Sequence, residues 1–214
     1  MKWMALATIV TREDCDIPSA LRHPALAFPV SPMLEIKEPQ TMSTAKIPPK
    51  VLTELNRQLN QELEAAHKYL ALSLWCDDQN LQGFSSYFAK QVSEEHVHAK
   101  KIADHLIDRG VLPELAALGA PKHAFKSLLE VATHAQAMEH ANTQGINAVY
   151  EAAIAAKDYP AQVLMQWFIN EQVEEEAWCL EMIERVQAAN CAGGFSDLDR
   201  HIERYLAKKD TSAS

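Results

Sequence analysis

The chain has 214 residues, of which 48% are hydrophobic, and this is enough material for one sizeable core or at most two small ones. Its net charge is −9 and no run of Lys or Arg forms a basic stripe, so we expect cations as ligands and neither nucleic acid nor a membrane as a partner. The scattered cysteines, without a Cys-x-x-Cys pair, disfavour a zinc ribbon or a redox dithiol and predict free thiols in the reducing cytoplasm. They are Cys15, Cys76, Cys179 and Cys191.

The first 50 residues are rich in proline and predict no packed helix. Seven of the ten prolines lie there, whereas all six glycines come later. The apolar stretch at 3–10 is too short to span a bilayer, and residues 1–41 carry more acidic than basic groups, unlike a transit peptide. A leader is one alternative. We favour a disordered extension over residues 1–48, with Met42 just before the first helical pattern.

From residue 49 onwards the apolar residues recur at helical spacing, and no convincing strand is present. They predict a first helix from about Pro49 to Asp77 and a second from about Leu81 to Arg109, ended by Gly110. The connection over 110–124 is too long for a tight turn and suits a crossover along a bundle. We therefore expect the second and third helices to be parallel.

The second half of the chain predicts two more long helices and a short one. The third runs from about Phe125 to Lys157, and the fourth begins near Pro160. After the Gly193-Gly194 break, a short fifth helix is predicted over 198–208, followed by a flexible tail at 209–214. The expected fold is all-α, with one domain over residues 49–208: a four-helix bundle with a long crossover between the second and third helices and a short C-terminal fifth helix.

Each long helix carries a carboxylate on the stripe that should face the core. A frayed register or solvent exposure explains one such residue, but four helices with the same interruption predict that the side chains converge. Buried carboxylates repel one another, and a pair of divalent cations would remove the repulsion. Carboxylates with a single imidazole suit iron or manganese better than zinc. The candidate side chains are Glu62, Glu94, Glu95, His98, Glu139, Glu171, Gln172, Glu174 and Glu175.

The chain resembles the bacterial non-haem ferritins over residues 50–207. The resemblance lies in LNRQLNQELEAAHKYLALSLWC, VSEEHVH, MEHANTQGIN and KDYPAQVLMQWFINEQVEEE, one segment from each long helix. It implies a ferritin-like di-iron fold and an iron-storage protein with ferroxidase activity. Fe(II) and O2 would be its substrates, and ferric mineral would be deposited inside a hollow homo-oligomeric shell of twenty-four subunits.

Carried over residue by residue, the resemblance implies two irons per subunit at a ferroxidase centre. Glu62, Glu95 and His98 would hold one iron, and Glu95 would bridge to a second iron held by Glu139 and Glu175. Gln172 would line the second site. The resemblance also implies a possible third iron site at Glu94, Glu171 and Glu174, which would share Glu175. Tyr69 and Trp167 would lie beside the centre.

Two positions depart from the haem-bearing and peroxidase relatives of this family. Trp178 follows Glu175 by three residues, where bacterioferritin and rubrerythrin have the His of a second Glu-x-x-His motif. His96 stands where bacterioferritin has its haem-ligand Met, so no haem is implied. The alternatives are a non-storing di-iron oxidoreductase such as a rubrerythrin-like peroxidase, a bacterioferritin-like protein, and a silent helical shell subunit whose carboxylates face solvent.

Overall fold

The computed structural model of the chain describes residues 46–189 and 193–206. All regular elements in this part are helices and no strand occurs in it, which confirms the all-α prediction. Residues 1–45 of the predicted extension, the predicted tail at 209–214, and Cys15 and Cys191 lie outside the described residues. The helices are α1 (Pro49–Asp78), α2 (Gln82–Asp108), α3 (Leu128–Ala156), α4 (Tyr159–Ala188) and α5 (Gly194–Leu206).

Two helices begin three or four residues away from their predicted starts. The prediction that the third helix begins near Phe125 was wrong, because the side chain of Ser127 accepts a hydrogen bond from the backbone N of Glu130 at 3.2 Å and caps the helix there. α5 begins four residues before the predicted 198. Gly193 has a φ of +82°, so it supplies the turn from which α5 starts directly.

The bundle is built from two pairs of neighbouring helices. α1 packs mainly against α2 and α3 mainly against α4, and α1 also contacts α3. Short links at 79–81 and 157–158 make each pair antiparallel. The crossover between the pairs starts where the backbone N of Val111 donates to the carbonyl oxygen of Leu106 at 2.9 Å, near the end of α2. It ends where the ring of Phe125 packs edge-on against that of Trp75, near the end of α1 and thus at the opposite end of the bundle. It therefore runs the length of the bundle, as predicted, and α2 and α3 are parallel.

The core consists of two apolar clusters with a polar layer between them. The first apolar cluster includes Val51, Leu106 and Met165, and the second includes Phe84 and Met182. Burying these side chains stabilises the bundle, whereas the polar layer must be stabilised by its own contacts. The buried side chains of the layer are Gln58 and Glu62 on α1, Gln91, Glu95 and His98 on α2, Glu139 and Asn142 on α3, and Gln172 and Glu175 on α4.

An ion pair joins the end of α2 to the start of α4. Nη1 of Arg109 lies 2.8 Å from both carboxylate oxygens of Asp158, whose side chain is buried. Asp158 also caps α4, because its Oδ1 accepts a hydrogen bond from the backbone N of Ala161 at 3.3 Å. The carboxylate thus holds two elements of the bundle together.

In the described part of the chain no helix combines the length and the apolarity that crossing a membrane would require.

Candidate metal centre

Three ligand-type side chains meet in the polar layer. They are Glu62 from α1 and Glu95 and His98 from α2, and one ligand atom of each lies within 4.8 Å of the other two. Glu95 and His98 share a helix face because they are three residues apart, and Nδ1 of His98 lies 3.2 Å from Oε2 of Glu95. No other group of three such His, Cys, Asp or Glu side chains occurs within residues 46–189 and 193–206.

Glu139 and Glu175 lie in the same polar layer and are 1% and 3% exposed. Their negative charges both act on Glu95, where they raise the pKa of its carboxyl group. Their oxygens do not gather with those of Glu95 into a second compact group of three in the described structure. Glu175 instead accepts a hydrogen bond from Nε2 of Gln91 at 3.3 Å. The second iron site therefore stays a prediction.

Tyr69 and Gln172, both predicted to lie beside the centre, contact Glu139. The hydroxyl of Tyr69 donates a hydrogen bond to Oε1 of Glu139. Nε2 of Gln172 lies 3.2 Å from Oε2 of Glu139 and 3.1 Å from Oγ1 of Thr143. The ring of Tyr69 stacks on that of Phe88, with 6.0 Å between their centroids. Each carboxylate oxygen of Glu139 is thus held by one donor.

Burial sets the protonation of these carboxyl groups. Burial and, to a smaller extent, the negative charge of Glu95 raise the pKa of Glu62 to about 8. Burial also raises the pKa of Glu95 well above its usual value, with the charge of Glu139 adding to the effect. It raises the pKa of Glu139 as well, although the hydrogen bonds from Tyr69 and Gln172 oppose it. Without a cation the layer therefore retains protons near neutral pH, and a bound cation would displace them.

The residues predicted for a third iron site lie at the edge of the layer. Glu94 is half-buried, and its Oε2 is buried without a hydrogen-bond partner. Glu171 is half-buried and Glu174 is exposed. In the described structure these three carboxylates do not form a compact group. A third site stays a prediction.

Aromatic rings cover the histidine of the centre. The ring of Trp167 meets that of His98 edge-on at 5.5 Å between centroids, and Nζ of Lys101 lies 4.1 Å from the centroid of Trp167. Trp178, in the place of a second histidine, is half-buried and packs against the second apolar cluster. His96 is exposed, with Nδ1 2.7 Å from the carbonyl oxygen of Val92.

Three buried amides that contact the carboxylates were missed by sequence reasoning. Gln58 and Asn142 contact Glu62, and Gln91 contacts Glu175. The available signal was helical spacing, since Gln58 stands four residues before Glu62 on the same helix face. Helical spacing also puts Asn142 on the inner face of the third helix, three residues after Glu139, but it does not reveal the partner of Asn142 on α1.

The chemistry of the donor set fits iron. The donors are mostly carboxylate oxygens, with a single imidazole. This set suits Fe(II) better than zinc, because zinc prefers Cys and His ligands. The raised pKa values point the same way, because a divalent cation compensates the negative charges that burial otherwise opposes.

Comparisons with known proteins identify the family. The family model "Ferritin: Ferritin-like domain" matches residues 52–189. The chain is 41% identical over 127 residues to the bacterial non-heme ferritin of Staphylococcus haemolyticus. The aligned region covers 59% of this chain and 76% of that protein. The bacterial non-heme ferritin of Staphylococcus aureus (strain MRSA252) is 39% identical over the same shares.

Solved structures agree with the sequence relatives. The open pore ferritin from the hyperthermophilic archaeon Archaeoglobus fulgidus is similar with a TM-score of 0.71 and 32% identity, covering 73% of this chain and 97% of that one. A humanized archaeal ferritin gives the same TM-score and identity over 73% and 95% of the two chains. The region that matches the family model, residues 52–189, contains every carboxylate of the polar layer and all four long helices except the first three residues of α1. This chain belongs to the ferritin family.

Proposed function

We propose that the chain is an iron-storage ferritin with ferroxidase activity. Fe(II) and O2 are the substrates, and ferric mineral is deposited inside a hollow homo-oligomeric shell of twenty-four subunits. One observation carries the proposal: four carboxylates and one imidazole are buried in a layer between two apolar clusters, where such groups are costly without a cation. The similarity to proteins named non-heme ferritin supports the storage role.

In this proposal the ligands are divided between two iron positions. Glu62, Glu95 and His98 bind one Fe(II), and Glu95 also binds a second Fe(II) together with Glu139 and Glu175. Gln172 holds Glu139 in place beside that second position. Each Fe(II) gives up one electron, so the two irons together reduce one O2 to peroxide, which takes up two protons and leaves as hydrogen peroxide. The carboxylates favour the oxidised irons because Fe(III) carries the higher charge.

In this scheme the binding of iron is coupled to the release of protons. Since burial raises the pKa values of Glu62, Glu95 and Glu139, their carboxyl groups release protons as Fe(II) binds. Tyr69 is a candidate donor of one further electron, and its phenolic proton would pass to Glu139 along their hydrogen bond. A third iron at Glu94, Glu171 and Glu174 would add another electron or a transfer position.

Anaerobic loading followed by air tests the ferroxidase proposal. Fe(II) is added to the metal-free full-length protein without oxygen, and the visible absorbance is followed after mixing with air. Wild type should develop a rapid absorbance change that Glu95→Ala loses, because Glu95 serves both irons. Glu64→Ala is the matched control, since Glu64 lies on α1, is half-buried and pairs with Lys68. An equal response in wild type and Glu95→Ala would contradict the assignment.

Native mass separates storage from a di-iron oxidoreductase that stores nothing. A shell is expected for the proposed function, whereas a dimer of about 48 kDa, twice the chain mass of 23.9 kDa, would favour a rubrerythrin-like enzyme. The cytoplasmic location expected from the cysteine content stays a prediction, testable by fractionating the cells that express the protein.

A further inference from the structure

The carboxylate of Glu62 is held on both oxygens by buried amides. Nε2 of Gln58 lies 2.7 Å from Oε1 of Glu62, and Nδ2 of Asn142 lies 2.9 Å from Oε2. The two amides also contact each other, because Nε2 of Gln58 donates to Oδ1 of Asn142 at 2.6 Å. All three side chains are buried. Two residues of α1 and one of α3 therefore close a ring of hydrogen bonds across the bundle.

The ring fixes the direction in which each amide points. If the Gln58 amide turned over, its Oε1 would face two acceptor oxygens, one of Glu62 and one of Asn142, and repel both. In the observed orientation Oε1 of Gln58 is buried without a hydrogen-bond partner. A buried oxygen without a donor disfavours folding. The contact with Glu62 accounts for this cost, because the orientation in which Nε2 of Gln58 donates to Glu62 leaves Oε1 without a donor.

A glycine on α3 makes room for this arrangement. A Cβ on Gly145 would lie 2.2 Å from Oε1 of Gln58 and 2.8 Å from Oε1 of Gln61, closer than real Cβ atoms approach. Glycine inside a helix is less favourable than alanine, yet Gly145 lies within α3, three residues after Asn142. The backbone of α3 is thus adapted to the position of the Gln58 side chain.

We propose, on the basis of the function proposed above, that Gln58 and Asn142 are positioning residues that orient Glu62 toward Glu95 and His98 before metal arrives. A carboxylate offers about four acceptor positions, so the two amide N–H groups leave the others for a cation. Because Glu62 is already held, it loses less freedom when the cation binds. Neither amide belongs to the Glu-x-x-His motif at Glu95 and His98.

The test measures metal binding by Gln58→Met and Asn142→Leu in the full-length, metal-free protein. Both replacements keep the approximate side-chain volume and remove the amide donors. Anaerobic calorimetric titration with Fe(II) reports the affinity of each site, and the visible spectrum of Co(II) reports the coordination of the bound ion. Removing a hydrogen-bond partner of a metal ligand typically weakens metal binding about 10–100-fold. We expect that loss at one site per chain, with an altered Co(II) spectrum, and a smaller change at the other.

Gln61→Met is the matched control, because the amide of Gln61 donates to the carbonyl oxygen of Ala141 and not to Glu62. It should bind Fe(II) with wild-type affinity. If Gln58→Met and Asn142→Leu also retain wild-type affinity and the wild-type Co(II) spectrum, the positioning role is overturned while the proposed function stands. If wild type itself binds no Fe(II), the proposed function fails first.

Folding of each variant is checked by circular dichroism and native mass. Should Asn142→Leu not fold, Asn142→Asp takes its place, since it keeps the shape of the side chain but puts an acceptor in place of the donor beside Glu62. A loss at least as large as that in Gln58→Met is expected. Wild-type affinity in Asn142→Asp would overturn the role of Asn142.

Discussion

Replacing Glu62 by Gln should make the stability of the metal-free protein less sensitive to pH. Burial, together with the negative charge of Glu95, raises the pKa of Glu62 from 4.5 to about 8. Above pH 4.5 the unfolded chain therefore releases a proton that the folded chain still holds. The contribution of this carboxyl group is fully present below pH 4.5 and is lost as the pH rises toward 8.

The size of the effect follows from the two pKa values. Each pH unit between them lowers the free energy of unfolding by about 1.4 kcal/mol, so the loss from Glu62 reaches about 3 kcal/mol by pH 7. Glu62→Gln removes this dependence. It also adds a cost that does not vary with pH, because Gln58 and Asn142 both donate to Glu62 and a glutamine has only one acceptor oxygen.

The assay is urea unfolding of chelator-treated protein at pH 5, 6, 7 and 8, at one protein concentration. The free energy of unfolding of Glu62→Gln relative to wild type should rise by about 2–3 kcal/mol between pH 5 and pH 7. Glu64→Gln, which alters a half-buried carboxylate on the same helix, should follow wild type over this range. Parallel pH curves for Glu62→Gln and wild type would refute the reasoning.

Three further substitutions have defined outcomes. Tyr69→Phe removes the hydrogen bond to Glu139 and keeps the stacking on Phe88, so we expect about 1 kcal/mol lower stability by urea unfolding and slower oxidation of Fe(II) by stopped-flow absorbance. A wild-type oxidation rate at saturating Fe(II) would argue against Tyr69 as an electron donor. Arg109→Met leaves the buried carboxylate of Asp158 without its ion-pair partner and should lower the free energy of unfolding by about 3–5 kcal/mol. Arg200→Met removes an exposed ion pair and should lower it by less than about 1 kcal/mol, so equal losses in urea unfolding would contradict the structure. Gly145→Ala should lower the free energy of unfolding although alanine favours helices, because its Cβ would meet Oε1 of Gln58. Gly119→Ala places its Cβ in open space and should leave the stability unchanged. A Gly145→Ala variant more stable than wild type would show that the Gln58 amide can move aside.

The helices could be predicted because each long helix has an apolar stripe with a clear period. The stripe of the third helix illustrates this, since Ala132, Glu139 and Val149 are all buried as their spacing requires. The start of α3 could not be read from the same signal. It depends on whether Ser127 caps the helix, which is a local hydrogen bond and not a matter of periodicity.

The inward position of the carboxylates could be predicted because each interrupts an apolar stripe, and all four are buried. Their partners could not be predicted, because the contact between Asn142 and Glu62 joins residues 80 positions apart and depends on the register of α1 against α3. The grouping of the oxygens was equally out of reach. Glu95 lies close to Glu62 and His98, whereas Glu139 is held by Tyr69 and Gln172.

The most direct test of iron storage is the native mass of the purified protein together with the iron loaded per particle after aerobic addition of Fe(II). A shell of twenty-four chains of 23.9 kDa, about 570 kDa, is predicted, holding far more iron per chain than the two or three ions that the carboxylate layer could bind. A dimer near 48 kDa that retains only those few ions would contradict the proposed storage function.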